Sequence, residues 1–474
     1  MANDDAVTGS PEEKRSAAKA EPSNARSIAV IGSGWAGCAA AVELARAGFK
    51  VTLFEAARTL GGRARRVETD KKLLDNGQHI LLGAYSETLR LMKLVGVDRD
   101  QTLLTLPLQM RYPPGSGGMD FVAPRLPAPL HLAIALLRSK GLDRADKMSL
   151  VRFSSTARWM GWMLNTDCSV SELLARFEQT PRLIQLMWRP LCLAALNTPP
   201  ERASAQIFLN VLRDSLGAKK RSASAMLLPR ADLSALFPDA ASAFLRAHGG
   251  AVRTGAKVQA LRSIEGRLWQ VDISGAAVGG TWSTYFNGVV LATGAAQAAA
   301  LLHAVPDCDT TDVCAQLTAF ESEAITTIYL QYDAGTRLAL PFFALLEDPD
   351  NYQWGQFVFD RGQLDAGQAG LLAVVISASA GVAAQEQDLL AEAVAVQLAA
   401  AFQRPELGRP SWFKVITEKR ATYASSPGLV RPRNASGLPG LALAGDYTAG
   451  DYPATLESAV RSGVAAAAHL KGVT

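Results

Sequence analysis

At 474 residues, with 49% hydrophobic and 19% charged side chains, the chain can bury more than one core, and disorder of the whole is excluded. Its 48 basic and 44 acidic residues leave a formal charge of +4, too small and too dispersed to point to nucleic acid as a partner. Five cysteines without a CxxC pair and five scattered histidines suggest neither a disulfide framework nor a metal site, and fit a reducing, cytoplasmic compartment.

Residues 1–26 are polar, alanine-rich and charged, with no apolar run that could act as a signal peptide, and read as a disordered tail. Ser27 to Ile31 (SIAVI) is a β-branched, apolar run closed by glycines, which predicts a buried parallel strand. A helix follows from about Trp35 to Ala47 and ends at Gly48; Lys50 to Glu55 is the next strand, completing a βαβ unit and setting the class as α/β. From about Pro113 to Leu245 the pattern turns helical, rich in Leu, Trp and Met. Within it, Trp159, Trp162, Met163, Met187, Trp188 and Leu191 read mostly as core, or else as the lining of an apolar tunnel. Pro127 to Leu137 (PAPLHLAIALL), followed by Arg138, Lys140, Arg144 and Lys147, reads either as a buried helix or as a patch that touches one membrane face. Ala251 to Leu261, Leu268 to Ile273 and Val289 to Ala292 are expected strands, followed by a mixed region to about residue 415. Leu441 to Ala444 is a last strand, with a helix from about Pro453 to the end. No stretch reaches the roughly 18 apolar residues of a membrane span, which leaves a soluble protein or one attached to a membrane face.

Gly32-Ser-Gly34-Trp35-Ala36-Gly37 is GxGxxG between a strand and a helix, where backbone can approach a pyrophosphate on the helix N-terminus. Glu55, with Ala56 after it, stands 21 positions beyond Gly34, where a carboxylate can accept hydrogen bonds from ribose hydroxyls and repels a 2′-phosphate. Leu60-Gly61-Gly62-Arg63 adds small residues that admit backbone to the cofactor and an arginine that can meet a phosphate, an element that resembles FAD enzymes. The helix start around Pro453, Thr455 and Leu456 can stabilise negative charge on a reduced flavin.

From residue 27 to its end the chain resembles the flavin amine oxidase superfamily. The resemblance implies a Rossmann-like FAD-binding domain of the two-dinucleotide-binding type, built from 27–112, 246–300 and 416–474. An inserted α+β substrate domain would take 113–245 and 301–415. It further implies that Gly445-Asp446 is a second flavin fingerprint, with Asp446 on the ribitol, although Asp446 can also be read as a helix cap. Val258 matches the place where members grip adenine by backbone, and Ala292-Thr293-Gly294 matches a third cofactor-facing turn. Within the superfamily, Leu74 to Leu81, Trp188 to Pro200 and Glu418 to Thr422 resemble the hydroxysqualene dehydroxylases. That branch implies a long isoprenoid substrate, hydroxysqualene, whose allylic hydroxyl is replaced by hydride from reduced FAD to give squalene in squalene and hopanoid biosynthesis.

Such a step needs a proton for the leaving hydroxyl, a dry apolar pocket and a flavin facing the reacting carbon. His79 is the candidate donor with Gln78 as its orienting partner, against the plainer reading of a hydrogen-bonded structural histidine. Tyr447 and Tyr452 flank the C-terminal turn where amine oxidases place rings over the flavin; packing explains them equally. Carotenoid-type desaturation and amine oxidation are the rival chemistries, and a lipid carrier without flavin is the non-enzymatic rival.

Overall fold

The structure, a computed structural model, describes residues 26–473 apart from 267 and 276–279. The tail reading therefore falls, but for Arg26, outside the described residues. A parallel sheet forms from β1 (Ser27–Ile31), β2 (Lys50–Phe54), β3 (Ala251–Arg253), β4 (Gly288–Leu291) and β5 (Leu441–Leu443) in the order β3-β2-β1-β4-β5. Ile31 pairs with Phe54 on one side and Leu291 on the other, and Leu291 pairs with Leu443, so the carboxyl ends of these strands share one edge. In α/β sheets that edge is where ligands bind.

Both faces of the sheet are covered, which explains why its strands are continuous apolar runs rather than alternating ones. Val30, Val290 and Ala442 pack with α1 (Trp35–Arg46) and α2 (Leu456–Val473). These helices meet at backbone distance: a Cβ on Gly463 would lie 2.1 Å from the Ala36 carbonyl oxygen. Ala29, Ile31, Val289 and Leu441 face the other way, onto an antiparallel meander of Ala256–Ile264, Leu268–Gly275 and Gly280–Phe286. The sequence predicts one strand over 251–261; the structure has two, because Gly255 at φ +65° turns the chain out of the parallel sheet and into the meander.

The second half is an antiparallel sheet in the order Phe342–Ala344, Phe357–Asp360, Leu371–Ser377, Ser322–Gln331, Trp412–Tyr423. Its inner face, with Tyr329, Phe342, Phe359 and Val375, shares one core with Phe153, Trp188, Phe208 and Leu212 of the helical region. Helix Gln387–Phe402 covers the outer face through Leu390, Val394 and Leu398. Helix Pro238–Ala247 packs beside α1, so the two halves interleave along the chain. Trp162, Met187 and Trp188 are core as expected, but Trp159 is 87% exposed and Met163 58%, because the buried face of helix Arg144–Trp159 is Leu150, Phe153 and Ala157. Among the described residues no helix is long and apolar enough to cross a membrane.

Candidate active site

The three fingerprint glycines do three different things. Gly32 has φ +103°, and a Cβ there would press on the Ala292 carbonyl at 2.6 Å. On Gly37 a Cβ would fall 1.9 Å from the Gly32 carbonyl oxygen, so glycine lets α1 pack on the β1 turn. A Cβ on Gly34 would meet nothing within 4 Å. It would project into open space at the start of α1, which has neither a capping side chain nor an acid in its first turn. The free amides and the helix dipole there suit an anion. Trp35 is buried and donates from Nε1 to the Ala64 carbonyl (3.2 Å), and Ala36 is buried against α2, so both can offer a cofactor only backbone.

Glu55 stands at the end of β2 as expected. Its Oε2 accepts from the Ser33 amide (2.8 Å) and hydroxyl (2.6 Å), and Oε1 accepts from the Ala57 amide (2.8 Å), which fixes the carboxylate beside exposed Ala56. The glycine turn after it lies on the fingerprint: Gly61 donates to the Ser33 carbonyl (3.0 Å), and a Cβ on Gly62 would sit 3.0 Å from Gly34 Cα. Val258 is buried in the meander, where the ladder slips between Val258 and Ala260, shortly after Gly255, whose amide donates to the Ala57 carbonyl. Thr455 and Leu456 begin α2; the Thr455 hydroxyl accepts from the Ser458 amide at 3.2 Å.

Segments far apart in sequence close around this edge. Arg63 donates to Asp446 Oδ1 (2.7 Å) and to the Ala421 carbonyl (2.8 Å). Asp446 is buried, and its charge strengthens the hold of Arg63 on its proton. Asn76 donates to the Arg63 carbonyl and to Glu418 (both 3.0 Å). Asn197, in a left-handed conformation at the end of helix Arg189–Leu196, donates to the Thr422 hydroxyl at 2.9 Å. The three stretches 74–81, 188–200 and 418–422 are thus stitched to one another and to the Arg63–Asp446 pair. Gly445 donates to Ser462 (2.9 Å), and a Cβ on it would strike the Tyr447 ring at 2.3 Å.

His79 is half-buried, with Nδ1 2.9 Å from the Gly77 carbonyl oxygen. A carbonyl only accepts, so Nδ1 carries the proton, and Nε2 has no hydrogen-bond partner among the described residues. Burial lowers its pKa below the usual imidazole value, and Arg63 adds to the effect against the opposing Gly77 bond. The expected partnership with Gln78 is not present. Gln78 instead donates to the Tyr329 hydroxyl (3.0 Å) and accepts from Arg361 (3.1 Å), and Tyr329 in turn donates to the Asp75 carbonyl (2.9 Å). Their side chains go to different partners, so adjacency in sequence does not bring the two together. Nothing local in the sequence marks Tyr329 or buried Arg361 as part of this site. Tyr447 is buried against Phe320 and Tyr423, its hydroxyl without a partner among the described residues; burial and the Asp446 charge raise its pKa, so it stays neutral. Tyr452 donates to Asp214 at 2.6 Å.

The open cradle at Gly34 and the carboxylate at the end of β2, with the Tyr447 hydroxyl buried and without a partner among the described residues, fit a large polar cofactor laid along the sheet edge. With a parallel sheet behind that edge and an antiparallel sheet beside it, this is the build of an FAD-dependent oxidoreductase. Residues 35–471 match the flavin containing amine oxidoreductase family, and the chain belongs to it. It is 29% identical over 463 residues to a hydroxysqualene dehydroxylase of Rhodopseudomonas palustris, covering 93% of this chain and 97% of that one. A zeta-carotene desaturase of Synechocystis sp. is 23% identical, covering 93% and 96%. Among solved structures, a putative protoporphyrinogen oxidase from Exiguobacterium superposes with a TM-score of 0.66 at 16% identity, over 95% of this chain and 99% of that chain.

Proposed function

We propose that the chain removes the allylic hydroxyl of hydroxysqualene and puts hydrogen in its place, yielding squalene and water for hopanoid and related lipids. The observation that carries this reading is the joining of 74–81, 188–200 and 418–422 at the Arg63–Asp446 pair. Likeness along nearly the whole chain to relatives of that name supports it.

Reduced FAD, when bound, supplies the hydride. Gly32, Gly34 and Gly37 with the start of α1 would hold its pyrophosphate, Glu55 a ribose and Val258 the adenine. Arg63, Gly445 and Asp446 would meet the central part, and Thr455 and Leu456 would present the amides of α2 to the ring. The substrate half is assigned to 113–245 and 301–415, apart from helix Pro238–Ala247, which packs beside α1; the core that the two segments share is apolar. As the C–O bond breaks, the hydroxyl needs a proton. His79 suits the role of donor, because with Nδ1 committed to Gly77 the imidazolium donates from Nε2, and its lowered pKa makes it the stronger acid. Gln78, fixed by Tyr329 and Arg361, is assigned to orienting the hydroxyl, and the ring of Tyr447 to supporting the flavin. The reading carries with it a cytoplasmic place of work.

Desaturation of a polyene is the second reading, supported by the desaturase likeness. It runs hydride in the opposite direction. Incubating reductant-fed holoenzyme with hydroxysqualene, and oxidised holoenzyme with zeta-carotene, then identifying products by mass spectrometry, separates the two. Squalene in the first and no new double bond in the second is the expected pair of results.

A further inference from the structure

Helix Leu130–Arg138 is apolar on two faces. His131 and Ala135 point into the core, while Leu130 and Leu137, seven positions apart on one stripe, are 56% and 70% exposed. The next helix, Arg144–Trp159, buries Leu150 and Phe153 and leaves Met148, Val151 and Trp159 exposed, and Met163 follows just after it. Lys147 ties the two together by donating to the carbonyls of Leu137 (3.1 Å) and Ser139 (3.0 Å), which holds the start of the second helix to the end of the first. Six large apolar side chains left in water along two joined helices mark an interaction surface.

The charge around them has one sign. Between positions 125 and 158 stand seven basic residues and only two acids, Asp143 and Asp146, whereas the rest of the chain is one charge short of neutral. Both acids are taken up by the N-terminal capping box of the second helix. Arg125, Arg138, Lys140, Arg144 and Arg158 have no ion pair among the described residues. A second copy of this chain would bring the same positive field and be repelled, and nucleic acid would leave the leucines and the tryptophan in water. An anionic bilayer satisfies both features, taking the apolar stripe below its headgroups and the cations among them.

We infer that residues 126–163 dock the protein on an anionic lipid surface. The inference needs no particular substrate. The test uses holoenzyme and sucrose-loaded vesicles of phosphatidylcholine, with or without phosphatidylglycerol. Sedimentation with the anionic vesicles, weakening as salt rises, is expected. Leu130→Ser with Leu137→Ser and Trp159→Ser lowers the partition coefficient roughly 100-fold or more. Arg138→Gln with Arg144→Gln lowers it by about tenfold or more on anionic vesicles only. Both variants keep wild-type flavin content and Tm, since the side chains are exposed. Quenching of wild-type fluorescence by brominated lipid, lost in Trp159→Phe, reports insertion without relying on those variants. Failure of the wild type to sediment with anionic vesicles overturns the proposal. So does equal binding by the leucine and tryptophan variant, or a dimer in light scattering that this variant abolishes. None of these results bears on turnover, so the lipid-docking and dehydroxylase readings fail separately.

Discussion

Replacing Gly34 by alanine separates cofactor binding from folding. Gly34 has φ −62° and ψ 172°, a conformation that alanine adopts freely, and its Cβ would meet no protein atom within 4 Å. Reduced freedom in the unfolded chain favours alanine by about 0.4–1 kcal/mol. Its poorer fit as an N-cap costs roughly 0.5–1 kcal/mol, so apoprotein stability stays within about 1 kcal/mol of wild type. The new methyl nevertheless occupies the space through which a pyrophosphate reaches the start of α1. Losing one charge-assisted hydrogen bond of about 1.5–3 kcal/mol weakens FAD roughly 10- to 150-fold. Gly37→Ala is the contrast, because its Cβ at 1.9 Å from the Gly32 carbonyl oxygen must push α1 off the sheet and costs roughly 3 kcal/mol or more. Thermal unfolding of apoprotein and titration with FAD measure both quantities. Wild-type FAD affinity in Gly34→Ala, or apoprotein as unstable as that of Gly37→Ala, would refute the assignment of the cradle.

Three further outcomes follow from the site. His79→Gln lowers kcat roughly 100-fold or more with flavin retained, and it removes the rise in wild-type rate toward acid pH, whose inflection lies below the usual imidazole value; an unchanged pH–rate profile speaks against His79 as donor. Arg361→Met leaves the side chains of Gln78 and Gln368 without their donor in a buried place, so kcat falls more than KM changes and stability drops by about 2–4 kcal/mol, with no rescue by Arg361→Lys, which cannot reproduce the forked contacts. Burial pushes the Asp75 carboxyl up to about 7 while it accepts from the Leu233 amide. Its folded pKa is above the unfolded one, so the stability it contributes is present below about pH 4 and is lost as pH rises through 7, by roughly 3–4 kcal/mol. Asp75→Asn keeps the acceptor without the charge, so its Tm advantage over wild type grows between pH 5 and pH 8; parallel curves contradict this.

The parallel strands and the fingerprint are legible in the sequence because their signals are local. A β-branched run, three glycines and an acid about twenty positions on describe a single βαβ unit. The Gly34 and Gly37 roles follow from the same few residues. What joins that unit to the rest is not local: Arg63 meets Asp446 across 383 positions, and Gln78 meets Arg361 across 283. A resemblance marked the segments 74–81, 188–200 and 418–422, but their contacts depend on how two sheets and a helical layer stack, which no short spacing encodes. Trp159 shows a different gap: helical spacing gives the period of a stripe, and the side that is buried depends on the neighbouring helices.

The most direct test of the account is a single anaerobic turnover. Holoenzyme with its flavin fully reduced is mixed with hydroxysqualene in detergent, and flavin absorbance and products are followed together. The account predicts one squalene per flavin reoxidised, at matching rates. Flavin that stays reduced while hydroxysqualene is recovered intact would contradict it.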